Sequence, residues 1–291
     1  MAKPWTLGGL SMQELLRRTV ISTWRDSVFG QAGRMAFYHF LAIFPSLLLF
    51  LVLAGSAKSV GAAVTHTAEG LFSAILPGPA AGLVQRMVQQ LQAQAPVGFE
   101  FLSACAGALW AAANGTWAIM YGLNVAYEVE ECRNWKELTV TILGLTIVVE
   151  VGTGIAFLIL FTATNVESRI LHHSSLLAVH AAQWMVILFL LLLVFATLYR
   201  FGPNLKDAEW KWSTPGSLCA LALWVACTVG LRIYFEHVNN YQKLYGDLNT
   251  VVMLLLWLYF SNASILIGGE MNSEIEKAAD RTQKGQDRSG S

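Results

Sequence analysis

The stretch LTVTILGLTIVVEVGTGIAFLILF, residues 138–161, is apolar throughout except for one carboxylate, Glu150, at its centre. A bilayer core about 30 Å thick takes roughly 20 apolar residues as a helix, so this run is long enough to cross a membrane. Five further runs of this kind lie at about 35–57, 99–125, 176–200, 215–237 and 250–270. Asn114, Gly115 and Thr116 interrupt the run at 99–125. The sequence therefore predicts an all-α, polytopic membrane protein: a bundle of six transmembrane helices, with amphipathic helices at the N-terminus and in an outer loop.

Composition agrees. The chain is 55% hydrophobic and 13% charged, against about 25% charged residues in a soluble domain. A formal net charge of zero gives no basic excess of the kind that binds nucleic acid. The four cysteines form no CxxC pair, so neither a disulfide framework nor a zinc site is expected. There is no GxxxxGK[ST], GxSxG or HExxH, which removes the parts of an NTPase, an α/β-hydrolase and a zinc protease. His172 and His173 read as a solvated turn. The acidic group Glu128, Glu130, Glu131 and Glu137 is interleaved with Arg133 and Lys136 and reads as charge pairing at helix ends. No catalytic residue, metal or cofactor is expected.

Lys and Arg set the orientation. Fourteen lie in the N-terminal segment, the second and fourth connections and the C-terminal tail, against four in the alternate connections. Both termini are therefore expected in the cytoplasm, as an even number of spans requires. Residues 1–34 hold no apolar core of a signal peptide, so the first span is expected to be retained. Within that segment Leu16, Val20, Trp24 and Val28 recur every four residues among arginines, the pattern of a helix lying on the membrane surface. The outer segment at about 58–98 breaks at Pro77 and Pro79 and carries an apolar face of Val84, Met87, Val88 and Leu91. It either caps the bundle, lies among outer headgroups or meets an envelope partner. Residues 271–291 read as a polar, disordered cytoplasmic tail, leaving 35–270 as the transmembrane domain.

A charged side chain at mid-bilayer costs about 2.5–3.5 kcal/mol, while each Leu, Ile, Phe or Val returns about 0.3–0.6 kcal/mol. The run around Glu150 can insert despite that cost. Arg232 in the fifth span is the candidate partner, one turn further out, with His180 and Gln183 in the same outer half and Asn114 and Asn262 nearer the middle. Two readings stand. Each polar group satisfies a neighbour and fixes helix register, or Glu150 lines a pathway for substrate or protons. Gly107, Ala111 and Gly115 form a small-residue stripe suited to close packing, Gly154 offers the same beside Glu150, and Pro45 is expected to kink the first span.

Longer strings then carry a family likeness. LYRFGPN (198–204), WKWSTPG (210–216) and YQKLYGDLNTVVMLLLWLYFSNASILIGGEMN (241–272), with AFYHFLAIFPSLLLF (36–50) and GLNVAYEVEECRNW (122–135), resemble the YihY/BrkB family of bacterial inner-membrane proteins over about residues 14–276. The matching positions are Pro45, Pro203, Asn204, Pro215, Gly216, Tyr241, Tyr245, Gly246, Glu270 and Asn272. Glu270 and Asn272 fall at the inner end of the last span, where a polar helix terminus is the ordinary reading. Arg232 and the string YGDLN depart from the family pattern, so a Glu150–Arg232 pair would be particular to this chain.

The resemblance implies a six-span protein of the cytoplasmic membrane. It also carries a ribonuclease BN label, for which no nuclease site is seen here, a serum-resistance phenotype, and a link to lipid export. The function expected is therefore a non-ATP-driven transporter or lipid-handling protein, with membrane lipids as partners. The alternative is a scaffold that holds envelope proteins through 58–98, with self-association left open.

Overall fold

The computed structural model describes residues 4–55, 98–170, 173–205, 214–237 and 247–289. The readings on 58–97, with Leu83, Val84, Met87, Val88 and Leu91, and on Tyr241, Tyr245 and Gly246 lie outside these residues. Of Pro45 and His180 only the helical backbone is described.

Among the described residues, a 3₁₀ turn, Pro4–Gly9, precedes seven α-helices: α1 Met12–Arg25, α2 Val28–Gly55, α3 Phe99–Ala126, α4 Trp135–Ile170, α5 His173–Phe201, α6 Pro215–His237 and α7 Asp247–Ser289. Each of α2 to α7 contains one of the six apolar runs. Within the described residues, Ala181–Phe201, Pro215–Phe235 and Val251–Thr282 are long and apolar enough to cross a membrane. The fold is thus that of a helical membrane protein.

Local chemistry sets the helix ends. Ser11 accepts a hydrogen bond from the Glu14 backbone N–H at 3.2 Å, opening α1 as N-cap serines do. Ser27 takes a left-handed φ of 51° between α1 and α2, and Gln31 Nε2 closes that turn on the Asp26 carbonyl at 3.0 Å. Asn134 Oδ1 accepts from the N–H groups of Lys136 and Glu137 at 3.1 and 3.0 Å, capping α4. Pro215 follows Thr214 at the start of α6, where a missing N–H costs nothing.

Each helix from α2 to α7 packs on its neighbour in sequence, and α7 closes the ring on α2 while also touching α3, α1 and the 3₁₀ turn. The main core gathers Met35, Met120, Leu123, Leu145, Phe195, Leu198, Tyr199 and Leu266. Half of the apolar window of α7 is buried but only 6% of that of α6. That contrast makes α7 central and α6 peripheral.

Residues 271–289 are not a disordered tail: α7 continues through them to Ser289. Met271, Ile275 and Ala278 repeat at helical spacing and are buried. Met271 and Ile275 form a second core with Leu15. Gly8 passes so close that a Cβ there would lie 2.5 Å from the Ile275 carbonyl oxygen.

The face of α1 turned to α7 is Leu15, Thr19, Ser22 and Thr23, whereas Met12, Leu16, Val20, Ile21 and Trp24 are exposed. Of the apolar stripe read from the sequence, Leu16, Val20 and Trp24 are therefore free of the bundle, whereas Val28 is buried in the main core. Replacing Leu16 and Val20 together by glutamate is expected to leave the melting temperature in detergent nearly unchanged, within about 0.5 kcal/mol. In liposomes, a spin label at Leu16 should be better shielded from aqueous quenchers than one at Arg17. Equal quenching would remove α1 from the membrane surface.

Candidate functional site

Where the ends of α1, α3, α5 and α7 meet the starts of α2 and α6, polar groups collect around one stretch of α7, Gly268–Lys277. Gly268 and Gly216 bring α7 and α6 into backbone contact; a Cβ on Gly216 would sit 2.1 Å from the Gly268 carbonyl oxygen. Asn272 uses that proximity. Its Oδ1 accepts from the Gly216 N–H at 3.0 Å and its Nδ2 donates to Thr214 Oγ1 at 2.9 Å. It thereby satisfies an N–H that the first turn of α6 leaves open. The Tyr127 phenol, just past the end of α3, also hydrogen-bonds the Asn272 side chain. Burial, with Glu276 and Glu270 nearby, pushes that phenol well above its ordinary value, so it stays neutral.

A second latch joins the α3–α4 and α5–α6 connections. Asn124 Oδ1 accepts from the Asn204 N–H at 2.8 Å, and Asn204 Nδ2 donates to the Glu130 carbonyl at 3.0 Å. The Arg133 guanidinium donates to the carbonyls of Phe201, Gly202 and Pro203 at 3.2, 3.1 and 2.8 Å. These acceptors are the carbonyl end of α5, where a cation is electrostatically favoured.

Glu270 occupies the middle. It is fully buried, and neither of its carboxyl oxygens has a hydrogen-bond partner among the described residues. Asp26, Lys277, Arg25 and Glu274 lie within electrostatic range. Ser22 Oγ donates to Glu274 Oε1 at 3.0 Å, Lys277 reaches Glu128 at 3.0 Å and Glu274 at 3.4 Å, and Arg25 pairs with Glu128 and, at 2.9 Å, with Asp26. The sequence placed Glu270 at a polar helix terminus; α7 runs on past it to Ser289, and Glu270 is buried within it. Among the described residues, no three His, Cys, Asp or Glu are grouped to hold a metal ion.

The pathway residues read from the sequence are dispersed. Glu150 lies on the outward face of α4 beside Ile147 and Val151, and Arg232 is exposed on α6. Their helices share no extended interface, since α4 packs on α3 and α5 while α6 packs on α5 and α7. Asn114 is half-buried and donates back to the Trp110 carbonyl at 2.7 Å. Gln183 and Asn262 are buried. Asn262 donates to the Leu258 carbonyl at 2.8 Å and lies within interaction range of His39. His39 went unremarked in the sequence, yet its signal was present in the small-residue stripe: a Cβ on Gly115 would lie 2.6 Å from the His39 ring. Gly107 and Gly154 have open space instead.

A ring of apolar helices with a buried polar cluster at one end defines a polytopic helical membrane protein. The family model described as virulence factor BrkB matches residues 20–291. The chain belongs to the BrkB family. It is 30% identical over 253 residues to the ribonuclease-like protein YfkH of Bacillus subtilis (strain 168), covering 85% of this chain and 90% of that one. It is also 32% identical over 81 residues to a UPF0761 membrane protein of Pseudoalteromonas translucida (strain TAC 125), a match covering 28% of this chain and 27% of that one. A UPF0761 membrane protein of Tolumonas auensis matches at 30% over 89 residues, 30% of this chain and 29% of its own. No solved structure matches this chain.

Proposed function

We propose that this protein is a non-ATP-driven transporter or lipid-handling protein of the cytoplasmic membrane, with six spans and both termini on the cytoplasmic side. The observation that carries the reading is the pairing of His39 with Asn262 inside the ring, between α2 and α7 and against Gly115 of α3. An inert bundle packs there as well with apolar side chains, and ionisable side chains inside membrane bundles mark substrate or proton pathways. Arg232 serves as contact for an anionic headgroup and Glu150 as proton carrier, with His180, Gln183 and Asn114 along the route. Glu150 and Arg232 are exposed on α4 and α6, where lipid would sit. The second reading is a scaffold acting through 58–98. A nuclease, suggested by the name of the B. subtilis relative, ranks below both.

The test is movement of labelled anionic lipid between leaflets of liposomes holding the purified protein. Wild type should accelerate it, Glu150→Gln should abolish the gain, and Asn262→Leu should slow it roughly tenfold, the factor that about 1.4 kcal/mol produces. Changing Leu83, Met87 and Leu91 to polar residues should leave movement intact. A wild type no faster than empty liposomes would sink the lipid reading.

A further inference from the structure

Four carboxylates, Asp26, Glu128, Glu270 and Glu274, meet two cations, Arg25 and Lys277, in the cluster around Gly268–Lys277 of α7. The cations are already engaged. Arg25 holds Asp26 and Glu128, Lys277 holds Glu128 and Glu274, and Glu274 takes a further bond from Ser22. Glu270, the most deeply buried of the four, is left with no partner at either oxygen. Two other buried oxygens lack partners: Ser273 Oγ on the next turn of α7, and Gln31 Oε1 on α2. Gln31 Nε2 is committed to the Asp26 carbonyl. Its free oxygen lies near Gly122 and Leu266, one helical turn before Glu270. An ionised carboxylate in that position would add an unmatched negative charge to a cluster already in acidic excess and out of reach of water. A neutral carboxyl removes the charge and turns one oxygen into a donor, the kind of group that Gln31 Oε1 lacks.

We infer that Glu270 is a proton-binding site, holding one proton per chain in the conformation described and exchanging it at the cluster's exposed side. The inference rests on the cluster and not on the transporter reading: a protein that moved nothing would still bind this proton. The groups facing Glu270 are Arg25 and Asp26 at the α1–α2 turn, Tyr127 just past the end of α3, and Glu274 and Lys277 from α7, with Glu128 reached through Arg25 and Lys277. Glu128 and Arg25 are half-exposed, so the cluster runs from the buried carboxyl to solvent. Loss of the proton would draw Arg25 or Lys277 onto Glu270 and away from Glu128. That shift loosens α3 from α7 and makes the site a proton-sensitive latch.

The experiment is infrared spectroscopy of the purified full-length protein across pH, in H2O and D2O, on wild type, Glu270→Gln and Glu270→Asp. Expected is a protonated-carboxyl band in wild type at neutral pH that shifts in D2O, disappears on alkalinisation, is missing in Glu270→Gln and is displaced in Glu270→Asp. The melting temperature of Glu270→Gln should match wild type in acid and exceed it in alkali, because glutamine keeps the neutral form that wild type loses. A wild type without the band, or a band unchanged in Glu270→Gln, overturns the proposal. Should Glu270→Gln not accumulate, a displaced band in Glu270→Asp supports it and an undisplaced one overturns it.

Discussion

Gly216→Val is expected to destabilise the protein by at least about 3 kcal/mol, on the order of a hundredfold in the ratio of folded to unfolded chain. Two costs combine. A Cβ at this position would lie 2.1 Å from the Gly268 carbonyl oxygen and 2.5 Å from Asn272 Cγ. The first neighbour is backbone in the central helix, so relief requires α6 to move away from α7. The second is the carboxamide that caps α6, and its eviction leaves the Gly216 N–H and the Thr214 hydroxyl without their partner. Gly230→Ala, in the same helix but with open space at its Cβ, is expected to be neutral or stabilising by up to about 1 kcal/mol through helix propensity. Unfolding of the two purified variants in graded SDS provides the comparison. A Gly216→Val protein as stable as wild type would mean that α6 and α7 do not touch at these glycines.

The second large effect is expected at Arg133. Its guanidinium is largely buried, with 15% of the side chain exposed, and it serves three carbonyls at the end of α5 as well as Glu131 at 3.3 Å. Hydrogen bonds from a charged donor contribute about 1.5–3 kcal/mol each in favourable settings, with strong non-additivity. Arg133→Ala should therefore cost about 2–4 kcal/mol. Arg133→Lys should recover less than half of that, because an ammonium lacks the planar fork that spans adjacent carbonyls. Amide exchange should accelerate in the last turn of α5, near Leu198–Gly202, before it does in α7. A lysine variant with wild-type protection would reduce Arg133 to a simple positive charge.

Both sites lie where family-matching residues had been noticed in the sequence without a role. Asn272 and Gly216 stand 56 residues apart, and Arg133 and Gly202 stand 69 apart. Neither spacing carries a local signal. The motif residues Asn204, Gly216 and Asn272 prove to be latches, while Glu270 among them is left unlatched. Glu150 drew attention because it contrasts with its neighbours in the chain. Glu270, in the string GGEMN, offers no such contrast beside a polar segment.

The sequence by itself determined the class of the protein, a helical membrane protein, because hydropathy and helix length are properties of consecutive residues. It also carried an unread sign that α7 extends past 270, in the spacing of Met271, Ile275 and Ala278. Only the tertiary structure decided which polar groups are buried. Ser22 and Glu274 meet across 252 residues, and Asp26 and Arg25 from the same N-terminal segment come within electrostatic range of the buried Glu270. Whether a carboxylate is solvated depends on what packs over it, and the groups near this one come in part from the other end of the chain.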